Sequence, residues 1–341
     1  MIKDNSKKLI EAELCPPELL REQERTFARD IETLLINRIN EFVTVSCPAC
    51  CNDSSILEFS KFELEFRRCL KCRTIYMSPR PTAVVLADYY QNAESYKLWA
   101  QEIFPASEQS RREKIHIPWF NMITGYCEEH DILTETLAEI GAGFGTFSQV
   151  AQDAGWFKKV IAVEPTPSLA AECRRRGLET LNLRVEELSS YSFSADVIVS
   201  FEVIEHVFAP IEFVRQIKAC LNPGGLLVLS CPNGEGFDIA TLGIESLAVD
   251  AEHVTLFNPS SMRLMLENEG FEIINISTPG RLDAEFVRQA ALENRIDLTD
   301  TPFLNRVLME EWEELGWPFQ TFLAENGLSS HMWTVAQIPR P

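Results

Sequence analysis

From Thr134 onward, short apolar runs alternate with amphipathic stretches of helical period. TLAEI leads into a glycine loop, KVIAVEP (159–165) ends near an acid, and SLAAECRRRG reads as a helix with a glycine stop. ADVIVSFEVIEHV (195–207) holds a buried strand, FVRQIKACLNPGG a helix closed by Pro-Gly-Gly, and LLVLSCPN another apolar strand. SSMRLMLENEG is a further helix, FEIINIST a strand, and SHMWTVAQI a last strand. Strands that alternate with helices in this way build a mostly parallel α/β sheet covered on both faces.

The chain ahead of this region reads differently. Residues 17–42 have helical spacing, with Leu19, Leu20, Phe27, Ile31, Leu34, Leu35 and Ile39 on the apolar positions. A cysteine-rich stretch follows, and SPRPT at 78–82 breaks the pattern. Residues 84–104 again read as helix, and a further helix is predicted around 117–129. The expected division is an N-terminal helical segment (1–42), a zinc-binding module (43–80), helices on the substrate side (81–130) and an α/β domain (131–341). The acid- and aromatic-rich stretch 280–330 is placed as an acceptor-side cap.

The zinc reading comes from spacing. Cys47 and Cys50 form one C-x2-C pair, Cys69 and Cys72 another, with 18 residues between them. Each pair on a tight turn aims two thiolates at one ion, and two pairs complete a tetrahedron. Four cysteines leave no open coordination position, so the expected role of Zn2+ is structural. Cys51 is expected beside the site without ligating. The other cysteines do not imply disulfides, because MIKDNSKKLIEAEL lacks the apolar stretch of a secretory signal. No apolar run reaches the ~18 residues of a membrane span, and a cytoplasmic protein is expected.

Charge narrows the partners. The net charge is −20, yet residues 1–115 are nearly balanced, with 17 basic and 18 acidic residues. Almost all of the excess therefore lies in the larger α/β part, which repels phosphate backbones and argues against nucleic acid as substrate. Lys61, Arg67, Arg68, Lys71, Arg73 and Arg80 make the cysteine module locally basic. That suits either a solvated surface or a grip on an anionic small molecule.

The glycine loop is EIGAGFG, Glu139 to Gly145. A dinucleotide fingerprint is G-x-G-x-x-G, which would require glycine where Thr146 stands. Gly141, Gly143 and Gly145 instead give E-x-G-x-G-x-G. Glycines let the backbone turn and approach a ligand closely. Glu164, at the next strand end, can take both ribose hydroxyls of an adenosine.

The sequence resembles class I S-adenosylmethionine-dependent methyltransferases at EIGAGFG, VEP (163–165), RVEEL (184–188), ADVIVSFEVIEHV and LNPGGLLVLSCPN (221–233). HVTLFNPSSMRLMLENEGF (253–271) resembles the ubiquinone-type O-methyltransferase branch. The zinc module, the Pro-Arg-Pro and Tyr-Tyr of 79–90, and the closing Ser-Ser-His-Met-Trp resemble bacterial zinc-containing sugar C-methyltransferases. The likeness covers roughly 134–280 well. It implies a Rossmann-like seven-stranded domain that binds S-adenosyl-L-methionine, preceded by a small zinc-ribbon-like module and helices.

Carried residue by residue, the resemblance puts Glu139, Gly141, Gly143 and Gly145 around the methionine part and Glu164 on the ribose. Val185 and Glu186 fall beside the adenine, and Phe201 and Glu202 on the sulfonium side. Arg184 departs from the pattern, in which an acid contacts the adenine. The sugar C-methyltransferases use a Glu-His pair to abstract the acceptor's proton, which maps onto Glu252 and His253. His253 is then the expected base, oriented by Glu252, with His206 as the other candidate. Tyr89 and Tyr90 fit either acceptor contact or core packing. His116, His130 and His331 carry no assignment. The expected acceptor is a small molecule such as a nucleotide-activated sugar. The rival readings are a zinc-containing rRNA or tRNA methyltransferase, a non-catalytic S-adenosylmethionine-binding protein and, least favoured, an NAD-dependent oxidoreductase. The sequence is silent on oligomeric state.

Overall fold

In the computed structural model, which describes Leu14, residues 17–191 and residues 193–340, two sheets are assembled. The N-terminal segment up to residue 16 lies outside the described residues, Leu14 apart. The smaller sheet starts from β1 (Ser55–Lys61), β2 (Leu64–Cys69) and β3 (Ile75–Met77), an antiparallel series. The larger takes β4 (Thr136–Ile140), β5 (Lys159–Val163), β6 (Glu179–Leu181), β7 (Ala195–Phe201) and β8 (Leu221–Pro232) as parallel strands. After β8 the chain forms β9 (Thr255–Leu256), which returns to pair with β3. The last strands, β10 (Glu272–Ser277) and β11 (His331–Gln337), rejoin the large sheet, and β11 runs antiparallel beside β8.

The large sheet has the order β10-β11-β8-β7-β4-β5-β6. This is the seven-stranded, Rossmann-like arrangement expected of a class I methyltransferase domain, and the cysteine cluster precedes it. Its strands obey the period-two rule of a sheet buried on both sides. Ile198, Leu227 and Leu229 pack on one face, while Val197, Val199, Leu226 and Val228 pack on the other. The first face is covered by helices Pro210–Cys220 and Pro259–Asn268, the second by Ile117–Glu129 and Thr146–Ala154. Proline opens three of these helices, at or next to the first helical position, where its missing N–H costs nothing.

Local readings shift in three places. The predicted helix 17–42 is α-helical only over Pro17–Asp30, widens into a π-helical turn over Ile31–Leu35, tightens into a 3-10 helix over Ile36–Glu41 and ends at Phe42. The LNPGG stretch does not close a helix but begins β8, because Leu221 already pairs with Ala195. In the 280–330 stretch, Gly280, Arg281, Leu282, Asp283, Phe286 and Ser330 reach the central cavity, together with Pro279 just before them, while Phe303 and Phe322 lie exposed at 67% and 52%. Among the described residues, no helix is long and apolar enough to cross a membrane.

The cysteine stretch is not walled off from the rest. Cys47, Cys69 and Cys72 share one apolar cluster with Ile198, Ile217 and Met262. Leu64, Phe66 and Ile75 pack in another with Tyr89, Val249 and Val254.

Candidate functional site

The strand order turns back on itself between β4 and β7, where an open α/β sheet leaves a crevice beyond its carboxyl ends. A cavity of about 1800 Å³ opens there. Every residue assigned from the sequence to cofactor or catalysis lines it, except Gly145.

The three glycines divide the work. All have left-handed backbone, with φ of 78° at Gly141, 54° at Gly143 and 72° at Gly145. A Cβ on Gly143 would meet nothing within 4 Å, so this residue faces open space. A Cβ on Gly141 would stand 2.5 Å from Val203 Cγ2, and one on Gly145 would stand 2.5 Å from Leu178 Cδ1. Gly145 therefore lets the start of helix Thr146–Ala154 pack closely on Leu178 and Cys173. Gly141→Ala should lower stability by about 1–3 kcal/mol in urea unfolding, from the strained φ and the contact with Val203. Val203→Ala in the same chain should return part of that loss, because it relieves the contact and not the φ.

Two carboxylates fix the loop. Glu139 Oε2 accepts from the Ser148 N–H (3.0 Å) and the Ser148 hydroxyl (2.6 Å), tying β4 to the following helix. Burial pushes the Glu139 carboxyl up to about 8. Glu164 accepts from the Gly143 N–H and the Thr166 N–H, each at 2.8 Å. Burial raises the Glu164 pKa, against the backbone N–H groups of Thr166 and Gly143, which favour its charge. Val185 and Glu186 open the short helix Val185–Ser190 and line the same end of the chamber as Arg184. The Arg184 side chain is mostly exposed, 3.8 Å from Glu187.

The far wall comes from segments distant in sequence. Tyr90 Oη lies 2.9 Å from His206 Nδ1, and the buried Tyr89 hydroxyl donates to Glu252 Oε1 at 2.8 Å. His253 Nδ1 sits 2.8 Å from the Ala248 carbonyl and 3.4 Å from Asp250 Oδ2. This corrects one expectation: the hydrogen bond that orients His253 comes from Ala248, backed by Asp250, because Glu252 is held by Tyr89. The His206 and His253 ring centroids are 4.7 Å apart.

Environment separates the two imidazoles. Burial, then the neighbouring His253, pushes His206 down to about 3. Burial would lower His253 as well, but Asp250, the Ala248 carbonyl, Glu252 and Glu202 outweigh it and raise its pKa. Burial and the Asp250 charge push Glu252 up to about 7. Glu205 is fully buried beneath this cluster, and neither of its oxygens has a hydrogen-bond partner.

Sequence reading missed several lining residues. Tyr96, Trp99, Trp119, His116, Asp250 and His331 all face the cavity. The aromatic side of 84–104 and the Trp119, Met122, Tyr126 spacing carried a signal, but an apolar helix face looks the same over a core or over a ligand.

The four module cysteines converge. Their Sγ atoms lie within 4.8 Å of one another, with Cys47–Cys72 at 3.4 Å and Cys50–Cys69 at 3.6 Å. Sulfurs around a tetrahedral zinc, each at about 2.3 Å from the metal, would be about 3.8 Å apart, so the donor set fits that ion. Cys51 is exposed and outside the cluster.

A family model described as a methyltransferase domain matches residues 87–276, more than half of the chain. The chain belongs to this methyltransferase family. The match starts within helix Ala83–Asn92, so it includes the helices over the cavity as well as the glycine loop. A Mycolicibacterium smegmatis protein named "Probable S-adenosylmethionine-dependent methyltransferase" is 28% identical over 149 residues, 43% of this chain and 54% of that one. A Mycobacterium tuberculosis protein of the same description is 26% identical over 188 residues, 54% of this chain and 64% of the relative. The chain thus spans between half and two thirds of the length of these relatives. A ubiquinone biosynthesis O-methyltransferase of Xanthomonas euvesicatoria is 27% identical over 174 residues, covering 47% and 71%. Among solved structures, a SAM dependent methyltransferase from Archaeoglobus fulgidus aligns with a TM-score of 0.46 at 16% identity, over 70% of this chain and 100% of that one.

Proposed function

We propose that this chain transfers the methyl group of S-adenosylmethionine to a small-molecule acceptor, with His253 as general base. The observation that carries the reading is a shared cavity. The glycine loop and Glu164 line it together with His253, His206 and Tyr90. Glu139, Gly141 and Gly143 would bound the methionine end, Glu164 the ribose hydroxyls, and Val185 and Glu186 the adenine. Phe201 and Glu202 would lie near the sulfur. S-adenosylmethionine supplies an electrophilic methyl carbon. The chain's own groups align the acceptor with it, exclude water and remove one proton.

His253 is built for that last task. Its Nδ1–H donates to Ala248, which leaves the Nε2 lone pair to take the acceptor's proton as the new bond to methyl forms. Tyr90 and His206 line the same wall and would hold the acceptor. A nucleotide-activated sugar is the acceptor class favoured here. Lys61 also lines the cavity, with its Nζ on the Ser246 carbonyl, and offers a cation to a phosphate. Residues 43–80 and the helices of 81–130 would stand on the acceptor side, and 131–341 would hold the cofactor and carry the base. Cys47, Cys50, Cys69 and Cys72 would hold a structural zinc, and the chain would work in the cytoplasm.

The test begins with calorimetric titration of the zinc-replete chain with S-adenosylhomocysteine, with NADH in parallel. Binding of the first alone is expected; no binding to the folded chain would sink the reading. With an acceptor found among nucleotide sugars, His253→Ala should keep that affinity and lose about 10²–10⁴-fold in turnover.

Acidity follows in sign. Only neutral imidazole accepts the proton, and the His253 pKa lies above the 6.5 of a free imidazole. Methyl transfer should therefore rise with pH through a value above 6.5. Asp250→Asn removes the strongest charge holding the proton, so the rise should move to lower pH. Glu252 and Glu202 continue to face the ring in that variant, and His206 stays neutral. A pH profile of kcat/KM reads the shift, and an unmoved profile would remove His253 from the role.

A further inference from the structure

Glu202 is fixed more firmly than a cavity-lining carboxylate needs to be for packing. It directly follows β7 with φ of 52°, a left-handed backbone that a non-glycine residue adopts only when its surroundings hold it there. Its Oε1 accepts from the Ser230 hydroxyl at 2.6 Å and lies 3.1 Å from His331 Nε2. His331 is itself held. It begins β11 opposite Pro232, and its ring stacks on Trp119 with centroids 5.7 Å apart and planes at 15°. β7, β8, β11 and the helix carrying Trp119 thus converge on one carboxylate. Hydrogen bonds from the Ser230 hydroxyl and from His331 favour the ionised form of that carboxylate.

The position of this charge matters. β7 lies beside β4, and Val203, the next residue, abuts Gly141 of the glycine loop. The charges of Glu202 and His253 also act on each other. Glu202 therefore lines the same cavity as the loop and the base, beside the loop that would hold the donor's methionine end if the cavity takes S-adenosylmethionine. The sulfonium is positive before transfer and a neutral thioether after it. A fixed anion favours the first state over the second.

We propose that Glu202 discriminates the cationic methyl donor from its neutral product, and that His331 is the positioning residue that holds Glu202 there. The inference rests on the cofactor reading above. Its benefit is in binding and release: the donor is retained and the spent product leaves more readily. Its cost is kinetic, because an anion that favours the charged ground state more than the transition state raises the barrier. The device therefore suits a site where product inhibition outweighs speed.

The experiment needs no acceptor. S-adenosylmethionine and S-adenosylhomocysteine are titrated separately into the full, zinc-replete chain and into Glu202→Gln, His331→Ala and His331→Gln. In Glu202→Gln the ratio of the two affinities should fall about tenfold toward the product, while product affinity changes little. His331→Ala should give most of that fall, and His331→Gln, which keeps a donor, should restore part of it. A uniform loss for both ligands would mean a purely structural role and would overturn the inference. An unchanged ratio in Glu202→Gln would do the same, and an unchanged ratio in His331→Ala alone would remove His331. If the wild type binds neither ligand, the cofactor reading falls and takes this one with it; if it binds both at unaltered ratios, only this one falls.

Discussion

If the four-cysteine cluster holds zinc as proposed, Cys69→Ser is expected to release it, lower the melting temperature by about 10 °C and end the proposed methyl transfer. The reason lies in what the cluster supports. Cys47, Cys69 and Cys72 are buried in the same apolar body as the large sheet. β3, which follows Cys72, pairs with β9, only two residues past His253. Met77 N–H donates to the Val254 carbonyl at 3.0 Å, and Asn258 Nδ2 donates to the Cys72 carbonyl at 3.0 Å. The loop that presents the proposed base is thus bonded to the cysteine module just after His253. Loss of the ion loosens that loop directly, while the glycine loop and Glu164 stand on other strands. Metal content, melting and S-adenosylhomocysteine affinity, measured together, separate the effects. The expected pattern is one lost zinc, a lower melting temperature, product binding within a few-fold and no turnover. A variant that loses zinc and still turns over fully would show that the module does not support the site.

Glu164→Ala is expected to cut S-adenosylhomocysteine affinity by about a hundredfold or more. A carboxylate accepting from two ribose hydroxyls makes two charge-assisted hydrogen bonds, each worth about 1.5–3 kcal/mol. The side chain also accepts from Gly143 and Thr166, so its removal frees part of the loop. Glu164→Gln keeps the shape and one acceptor, and should fall between the wild type and Ala. Calorimetry reads both. Near-wild-type affinity in the Ala variant would move the nucleoside elsewhere in the cavity.

Local pattern made much of the frame legible. The strand at 136–140, the glycine loop after it and the acid at 164 are near neighbours in sequence, and the interactions that shape them are short-range. Gly141 and Gly143 need φ values that only glycine adopts easily, so their identity announces the geometry. The two C-x2-C pairs likewise announce a common cluster, because each pair is a local turn.

The base and its partners were only half legible. His253 and Glu252 stand next to each other in the chain, which suggested a working pair. The fold gives Glu252 to Tyr89, 163 residues away, and gives His253 to Ala248 and Asp250. Adjacent residues often point apart, so adjacency did not decide the contact. β9 was invisible for a similar reason, since a two-residue strand has no period to read.

By itself, then, the sequence determined the alternating α/β frame, the order along the chain of the large sheet's strands other than β6, and the loop and acid at their ends. Hydrophobic period and glycine conformation are properties of a few consecutive residues. Only the tertiary structure decided which distant groups meet: Tyr90 with His206, β3 with β9, and His331 with Glu202 across 129 positions. Those meetings depend on how crossovers and strand order bring separate segments to one end of the sheet, and no local pattern encodes that.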